Sequence, residues 1–511
     1  MNASDVGTRS LWMSVDVDPA SRRINKDCHC DVVVVGAGIA GLSVAYELLS
    51  KGRSVVILDR GSIAGGMTSR TTAHLAPICD DAISELIKIR GEEIARLFQS
   101  SHETAVSRIE ELVSDLHIQC NFRRLDGYLF PSTDMEFKEA RKQCETELKA
   151  GRTAGAAVEQ IKGVPFHGMK EAPALRYPNQ ATFHPLKYLQ RLVLEIRNKG
   201  GQLFSESPVL EIKENASQVL VTTANGSVTA DYAVVATNSP INNTFKLHTK
   251  MAPYRTYAMA FTIPKGTIPD ALYWDMADPY HYVRLNPGPG TSDYLIAGGA
   301  DHKTGEANDG SVRFEAVEAW IRALLPELGK EVHRWSGQVL DTIDYCGFIG
   351  KNPGSEKVFV ATGDSGQGMT HGVVAGLLIK DLITGMANPW EPVYRPARKT
   401  PRGGFNYLRE NSTVFKNLTA YVMPGDLRST TELKPGEGGI LRKGLKKLAV
   451  CRDKAGKLHA NSAVCTHIGC HIAWNSTEQC WDCPCHGSQF SGDGTVINAP
   501  AVRNLQKVTL P

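Results

Sequence analysis

The chain has 511 residues, enough for roughly two to four domains of ordinary size. Its 42% hydrophobic and 22% charged residues fit a globular protein. The formal net charge is only +3, and no long Lys/Arg run occurs, so composition gives no footing for nucleic-acid binding.

The opening residues, MNASDVGTRSLWMSVDVDPASRR, lack an apolar core with basic flanks, and no signal peptide is expected. Residues 1–30 read as a loosely ordered arm. The longest apolar run, VVVVGAGIAGLSVAYELL, is punctuated by glycines, which suits a buried strand and turn rather than a membrane span. The expected location is cytoplasmic, where ordinary disulfides are disfavoured.

From Asp31 the pattern alternates β and α. Val32–Val35 is β-branched and apolar, good for a buried strand. Gly36, Gly38 and Gly41 spell G-x-G-x-x-G before a helix with Ala45, Leu48 and Leu49 on its apolar face. Val55–Leu58 makes the next strand, ending at Asp59 and Arg60. The three glycines serve in turn a tight bend, the approach of a pyrophosphate to the backbone, and close helix–strand packing. The helix N-terminus offers N–H groups to phosphate, and Asp59 offers a ribose acceptor. A lone glycine motif is weak evidence, but strand, helix, second strand and acidic end together point to a dinucleotide.

Further along, SRTTAHL places Thr71, Thr72 and His74 after the first glycine unit. SPVLEI offers the backbone of Val209 to an adenine. ADYAVVATNSP returns a strand ending near Thr237. VFVATGDSGQGMTHGVV is a strand, a turn and a helix, carrying Gly363, Gly366, Gly368 and Met369. No second G-x-G-x-x-G lies between a strand and a helix, so the two-dinucleotide plan of an NAD(P)H-fed reductase is not expected.

The order of these pieces resembles the FAD-dependent oxidoreductases related to D-amino-acid, glycine and sarcosine oxidases, over about residues 31–395. WSGQVLDTIDYCGFIG also resembles that family's stretch before its last flavin strand, although DYCGFIG departs from the usual Gly-Leu-Pro wording. The resemblance implies an α/β Rossmann-type FAD-binding domain with a mostly β substrate lobe. Catalytic candidates come from that lobe: Arg284 as a carboxylate clamp, Tyr282 as a pocket wall, and His302 near the flavin or a substrate acid.

VYRPARKTPRGGFN is rich in Pro, Gly and basic residues and reads as a linker, placed at 396–413. Short segments with turns such as KPGEGG and SGDG follow, suggesting a small all-β domain over 414–511. Within it, AVCTHIGCHIAWNSTEQCWDCPCHGSQF holds five of the 12 cysteines and three of the 15 histidines. Cys465, His467, Cys483 and His486 follow the pattern C-x-H…C-x2-H, with Cys470 and Cys485 alongside. A structural zinc site would use four of these residues and leave the extra cysteine pair unexplained.

CTHIGC and CPCHGS resemble the two boxes of Rieske [2Fe–2S] proteins, in which two histidines replace two cysteines on one iron. The resemblance implies that Cys465 and Cys483 bind one iron and His467 and His486 the other. It also implies a Cys470–Cys485 disulfide, two free thiols being the alternative, and histidine edges exposed as an electron exit. Ser488 falls where high-potential members donate a hydroxyl to a cluster sulfur. Phe490 stands where they carry a second donor, tyrosine, so a lower potential is expected. INAPAVRNL resembles the loop shielding the cluster.

Together these readings predict a flavoprotein dehydrogenase rather than a plain oxidase. A small organic substrate, an amine or amino acid, would give hydride to FAD. The cluster would pass electrons singly to an external acceptor, a protein or a quinone, with no membrane span in the chain. The alternatives are a reductase fed by NAD(P)H or a redox partner and supplying an oxygenase, or a redox-sensing module.

Overall fold

A computed structural model describes residues 5–80, 82–241, 245–400, 425–444 and 446–510. Its first sheet is built on the strand Cys28–Val35, whose residues 32–35 are buried on both faces. That strand runs parallel to Val55–Leu58 on one side and Ser227–Val235 on the other. Gln202–Phe204 and Val358–Thr362 extend the parallel order outward. Helices cover the sheet, which is why its strands read as continuous Val/Ile/Leu runs rather than alternating ones.

The turn into helix Ile39–Leu49 tolerates only glycine at two points. Gly36 has φ +102°, and a Cβ there would lie 2.3 Å from the Ala236 carbonyl oxygen. A Cβ on Gly41 would lie 1.9 Å from the Gly36 carbonyl oxygen, so helix and strand meet at backbone distance.

A second, nine-stranded sheet forms the β lobe. Its longest member, Met251–Pro264, pairs antiparallel with Ser292–Lys303 and Glu331–Thr342. Phe130, Phe166, Phe261 and Tyr273 pack beneath helix Gly310–Leu324 in its core. Each such ring contributes about 1.5–3 kcal/mol on burial. The C-terminal part is all β: a three-stranded sheet and a four-stranded sheet, both antiparallel. The expected fold class, Rossmann-type with a β lobe and a small β domain, is the one observed.

The loose arm is not. Residues 5–27 are tied down, because Trp12 is fully buried and its indole N–H donates to the Thr71 carbonyl (2.6 Å). The Arg284 guanidinium lies 5.5 Å above its ring. Carbonyls of Val6 and Thr8 accept from Arg70. Most of the expected linker lies outside the described residues; its first part is anchored by Arg398, which is buried and bound twice to Asp344.

The two halves share a polar, buried interface. Arg255 pairs with Asp482 (2.9 Å) and Arg70 with Glu478 (2.9 Å), every side chain being 4% exposed or less. Ser336 donates to Glu478 (2.6 Å), and Asn308 accepts both the N–H and the hydroxyl of Ser476 (2.8 Å each). Among the described residues, no helix is long and apolar enough to cross a membrane.

Candidate flavin cavity and iron–sulfur site

One long cavity opens at the carboxyl ends of the parallel strands, the place where open α/β sheets hold ligands. Gly36, Asp59, Thr237 and Gly363 stand just past four of those strand ends, and all line it. Gly38 and Gly368 bring two helix N-termini to the wall, with Met369 beside the second. Arg60, Thr71, Thr72, Val209 and Gly366 line it as well. Gly41 does not; its place is behind the wall, between helix and strand. The Asp59 carboxylate accepts from the N–H groups of Ala37 (2.7 Å) and Gly61 (2.9 Å), which fixes the turn around it.

The walls suit a dinucleotide with a flat polar ring. Nothing lies within 4 Å of a Cβ built on Gly66, which faces the cavity. Asn238 Nδ2 and Asp364 Oδ1 are buried at the wall without hydrogen-bond partners. Such groups need a polar ligand, because a buried orphan costs about 1–3 kcal/mol.

The catalytic candidates divide. Tyr282 lines the cavity and hydrogen-bonds with the Thr256 hydroxyl (3.1 Å). Arg284 does not line it. Its guanidinium turns beneath the Thr71–His74 segment and donates to the carbonyls of Thr72 (3.0 Å), Ala73 (2.9 Å) and Phe183 (3.3 Å). Its charge is therefore spent on backbone, and a carboxylate clamp is excluded in this arrangement. His302 also points away, onto Tyr257 (3.0 Å). Burial, then the charges of Arg313 and Arg255, lower its pKa to about 4.

His74 lines the cavity beside Thr72 and is held at a pKa of about 3 by burial and by Arg284, so it stays neutral. Other wall residues carried no sequence signal strong enough to single out. Asp301, next to the candidate His302, faces the cavity with Oδ1 unpartnered. Gln338 also lines it, while its amide donates to the Gly487 carbonyl (3.1 Å), one residue from His486. Ile497, Asn498 and Ala499, from the far end of the chain, complete the wall.

The second site is made by two loops of matching design. In the first, Cys465 N–H donates to Cys470 O and Gly469 N–H to Cys465 O (2.8 and 3.0 Å). In the second, Cys483 N–H donates to Ser488 O and Gly487 N–H to Cys483 O (2.8 and 3.0 Å). The Cys470–Cys485 disulfide joins them. The Cys465 and Cys483 thiols lie within hydrogen-bond reach of each other, and the His467 and His486 rings are 5.2 Å apart. His467 Nδ1 is buried with no hydrogen-bond partner, as a metal-binding nitrogen would be. Two sulfurs in reach of each other and two imidazoles 5.2 Å apart, on loops braced by the disulfide, suit a [2Fe–2S] cluster with mixed ligands. Cys480 is buried outside both loops.

Of the two histidine edges expected as an open exit, His486 is buried and His467 is partly exposed. His248, from the oxidoreductase half, is 2% exposed and sits with its ring 4.9 Å from His467 and 5.3 Å from His486. The cluster face thus turns inward, toward the flavin half.

Fold and sites define a flavoprotein fused to a Rieske iron–sulfur protein. Comparison with known proteins agrees. Residues 31–382 match the model of the FAD dependent oxidoreductase family, and residues 425–509 match the Rieske [2Fe-2S] domain. The chain belongs to that oxidoreductase family, and its two domains bind FAD and a [2Fe–2S] cluster. It is 30% identical over 505 residues to "Putative Rieske 2Fe-2S iron-sulfur protein YhfW" of Bacillus subtilis, covering 98% of this chain and 97% of that one. It is 25% identical to gamma-glutamylputrescine oxidoreductase of Escherichia coli, over 79% of this chain and 89% of that one. Glycine oxidase from Geobacillus kaustophilus superposes with a TM-score of 0.61 at 17% identity, covering 73% and 99% of the two chains.

Ser488 and Phe490 make a testable pair. The Ser488 hydroxyl accepts from Ala501 N–H (3.0 Å), which leaves its proton for the Cys465 sulfur. Phe490 is fully buried in the same cluster of side chains as Cys465 and Cys483. A hydrogen bond to a sulfur stabilises the more negative reduced state. Ser488→Ala is expected to lower the cluster potential and Phe490→Tyr to raise it, each by about 40–130 mV, the equivalent of about 1–3 kcal/mol. A redox titration followed by electron paramagnetic resonance measures both.

Proposed function

We propose that this chain is a dehydrogenase of small amines or amino acids, located in the cytoplasm, which delivers electrons one at a time to an external protein or quinone. When bound, the flavin takes up two electrons as hydride from a substrate carbon and the cluster carries single electrons. The observation that carries this reading is the shared wall. Ile497, Asn498 and Ala499 of the Rieske half close the flavin cavity, and Gln338 spans from that cavity to the ligand loop at Gly487. An oxidase returning electrons to oxygen would have no use for such a wall. The amine class is supported by the relatives named above, gamma-glutamylputrescine oxidoreductase and glycine oxidase. The many unbridged thiols outside the cluster loops suit a reducing compartment.

The chain's own residues act by placement. Tyr282 and neutral His74 wall the reacting end and shed its water, and their rings, 5.4 Å apart and edge to face, hold each other in register. An anaerobic screen of amines, amino acids and N-methyl amino acids tests the reading. Bleaching of the flavin followed by that of the cluster on one substrate is expected. Bleaching by NADH or NADPH alone would replace this reading with that of a reductase.

A further inference from the structure

The β-lobe end of the cavity differs in charge from the strand end. Among the described residues, five aspartates line the cavity: Asp59, Asp80, Asp301, Asp341 and Asp364. Among the same residues, only two side chains with a permanent positive charge do, Arg60 and Arg70, and no lysine. Arg70 is committed, and Arg60 belongs to the strand end, just past Val55–Leu58. Arg70 binds Glu478, the Ser336 carbonyl and the N-terminal segment. Arg60 sits beside Asp59, at the strand end, and donates to the Ala501 carbonyl (3.3 Å). The lining histidines His74 and His371 are neutral, burial lowering their pKa to about 3 and 4. Arg284, a cation of the β lobe close behind the wall, is turned onto backbone carbonyls.

Asp301 stands on strand Ser292–Lys303 among groups that complete a cation site. Tyr280 and Tyr282 are wall residues close enough to feel its charge, their rings are 5.8 Å apart, and Trp274, paired with Tyr282 on the next strand, belongs to the same wall. The Tyr280 hydroxyl donates to Asp80 (2.7 Å), so its oxygen and ring face remain electron-rich. Asp301 Oδ1 is shielded from solvent and accepts no hydrogen bond. A carboxylate with aromatic walls attracts an ammonium both by charge and through the ring faces.

We propose that this end of the cavity is an ammonium pocket, in which Asp301 takes the positive nitrogen of an aliphatic amine between Tyr280, Tyr282 and Trp274. Amines lacking a carboxylate are then the substrate class, and α-amino carboxylates fit badly, because among the described wall residues of the β lobe no arginine or lysine meets their second charge. This narrows the reading of the previous section and rests on it.

The groups facing Asp301 set its pH behaviour. Burial pushes its pKa up to about 6, against the Thr256 hydroxyl and the charges of His281 and Arg313, which lower it. Tyr280 and Tyr282 face it with hydroxyls that burial raises above their ordinary range. The carboxylate is thus ionised above about pH 6 and neutral below.

Two probes that share a tert-butyl group and carry opposite charge test the pocket: tert-butylammonium and pivalate. Neither has a hydrogen on the carbon next to its polar group, so neither can be oxidised there. Binding to the FAD-loaded, full-length protein is read from the flavin absorption spectrum and from thermal stability. At pH 8, tert-butylammonium is expected to bind at least about tenfold tighter than pivalate, the worth of one charge-assisted contact. Its affinity should fall as pH drops through about 6. Asp301→Asn should remove about tenfold or more of it with the flavin spectrum intact, and Asp301→Glu should restore part. Should Asp301→Asn lose flavin, Tyr282→Phe with the pH profile of the unaltered protein decides instead. Tighter binding of pivalate, or affinity for the ammonium that ignores pH and Asp301, overturns the pocket. Flavin bleaching by α-amino acids alone would overturn it and leave the dehydrogenase standing. Ammonium binding without bleaching by any organic substrate would uphold the pocket and sink the dehydrogenase.

Discussion

Asp482→Ala, and separately Arg255→Met, are each expected to destabilise the protein by about 3–5 kcal/mol. The two side chains form a bridge that is 3% exposed at both ends, between the β lobe and the residue next to the ligand Cys483. Burial works against the Arg255 charge, but the charges of Asp482 and then of Cys480, Glu478 and Tyr257 together outweigh it, and the guanidinium pKa rises. Removing either partner strands a charge where water cannot reach it. Asp482 also accepts from Asn475 (2.8 Å) and Gln489 (2.7 Å), so its loss leaves two amides unsatisfied as well. The double variant Arg255→Met, Asp482→Leu should therefore cost less than the sum of the singles, without returning to zero. Urea unfolding followed at both the flavin and the cluster absorption measures it. Single variants within about 1 kcal/mol of the unaltered protein would show that the bridge is not the clamp between the halves.

The legible parts of this molecule were those whose chemistry lies close in sequence. Gly36 to Asp59 builds a nucleotide turn within one β-α-β unit, and Cys465–Cys470 and Cys483–Ser488 each close a ligand loop on themselves. The substrate end is assembled from separate strands, where facing is decided by parity. Asp301 and His302 are neighbours on one strand and so point to opposite sides. Asp301 reaches the cavity, and His302 reaches Tyr257. Between Gly299 and His302 this strand carries one residue more than the Tyr257-to-Arg255 stretch it pairs with, and no local pattern announces it. Arg284 misleads for a related reason. An arginine in an apolar strand suggests a ligand, but the loop at Thr72 and Ala73 passes over it and takes its donors. His248 meets the ligand histidines across more than two hundred residues of chain, a contact that only the closed interface creates.

Cys465→Ser should separate the two halves of the reaction. The substitution removes one of the two candidate ligand sulfurs and is expected to abolish the cluster's visible absorption and its paramagnetic signal. The flavin cavity owes nothing to that side chain, since Cys465 is absent from its wall, so flavin content should hold. Bleaching of the flavin by a substrate amine, measured anaerobically, should then stay within about twofold. Reduction of a one-electron acceptor should fall by about a hundredfold or more, because a fixed internal neighbour has been replaced by a partner met only by diffusion. His467→Ala is the companion variant, removing a candidate imidazole ligand instead. If both variants keep acceptor reduction while losing the cluster, electrons leave from the flavin directly. If they consume oxygen at the rate of the unaltered protein, the chain is an oxidase. Only a joint loss of cluster and acceptor reduction, with flavin bleaching preserved, matches the wall that Ile497, Asn498 and Gln338 build between the two sites.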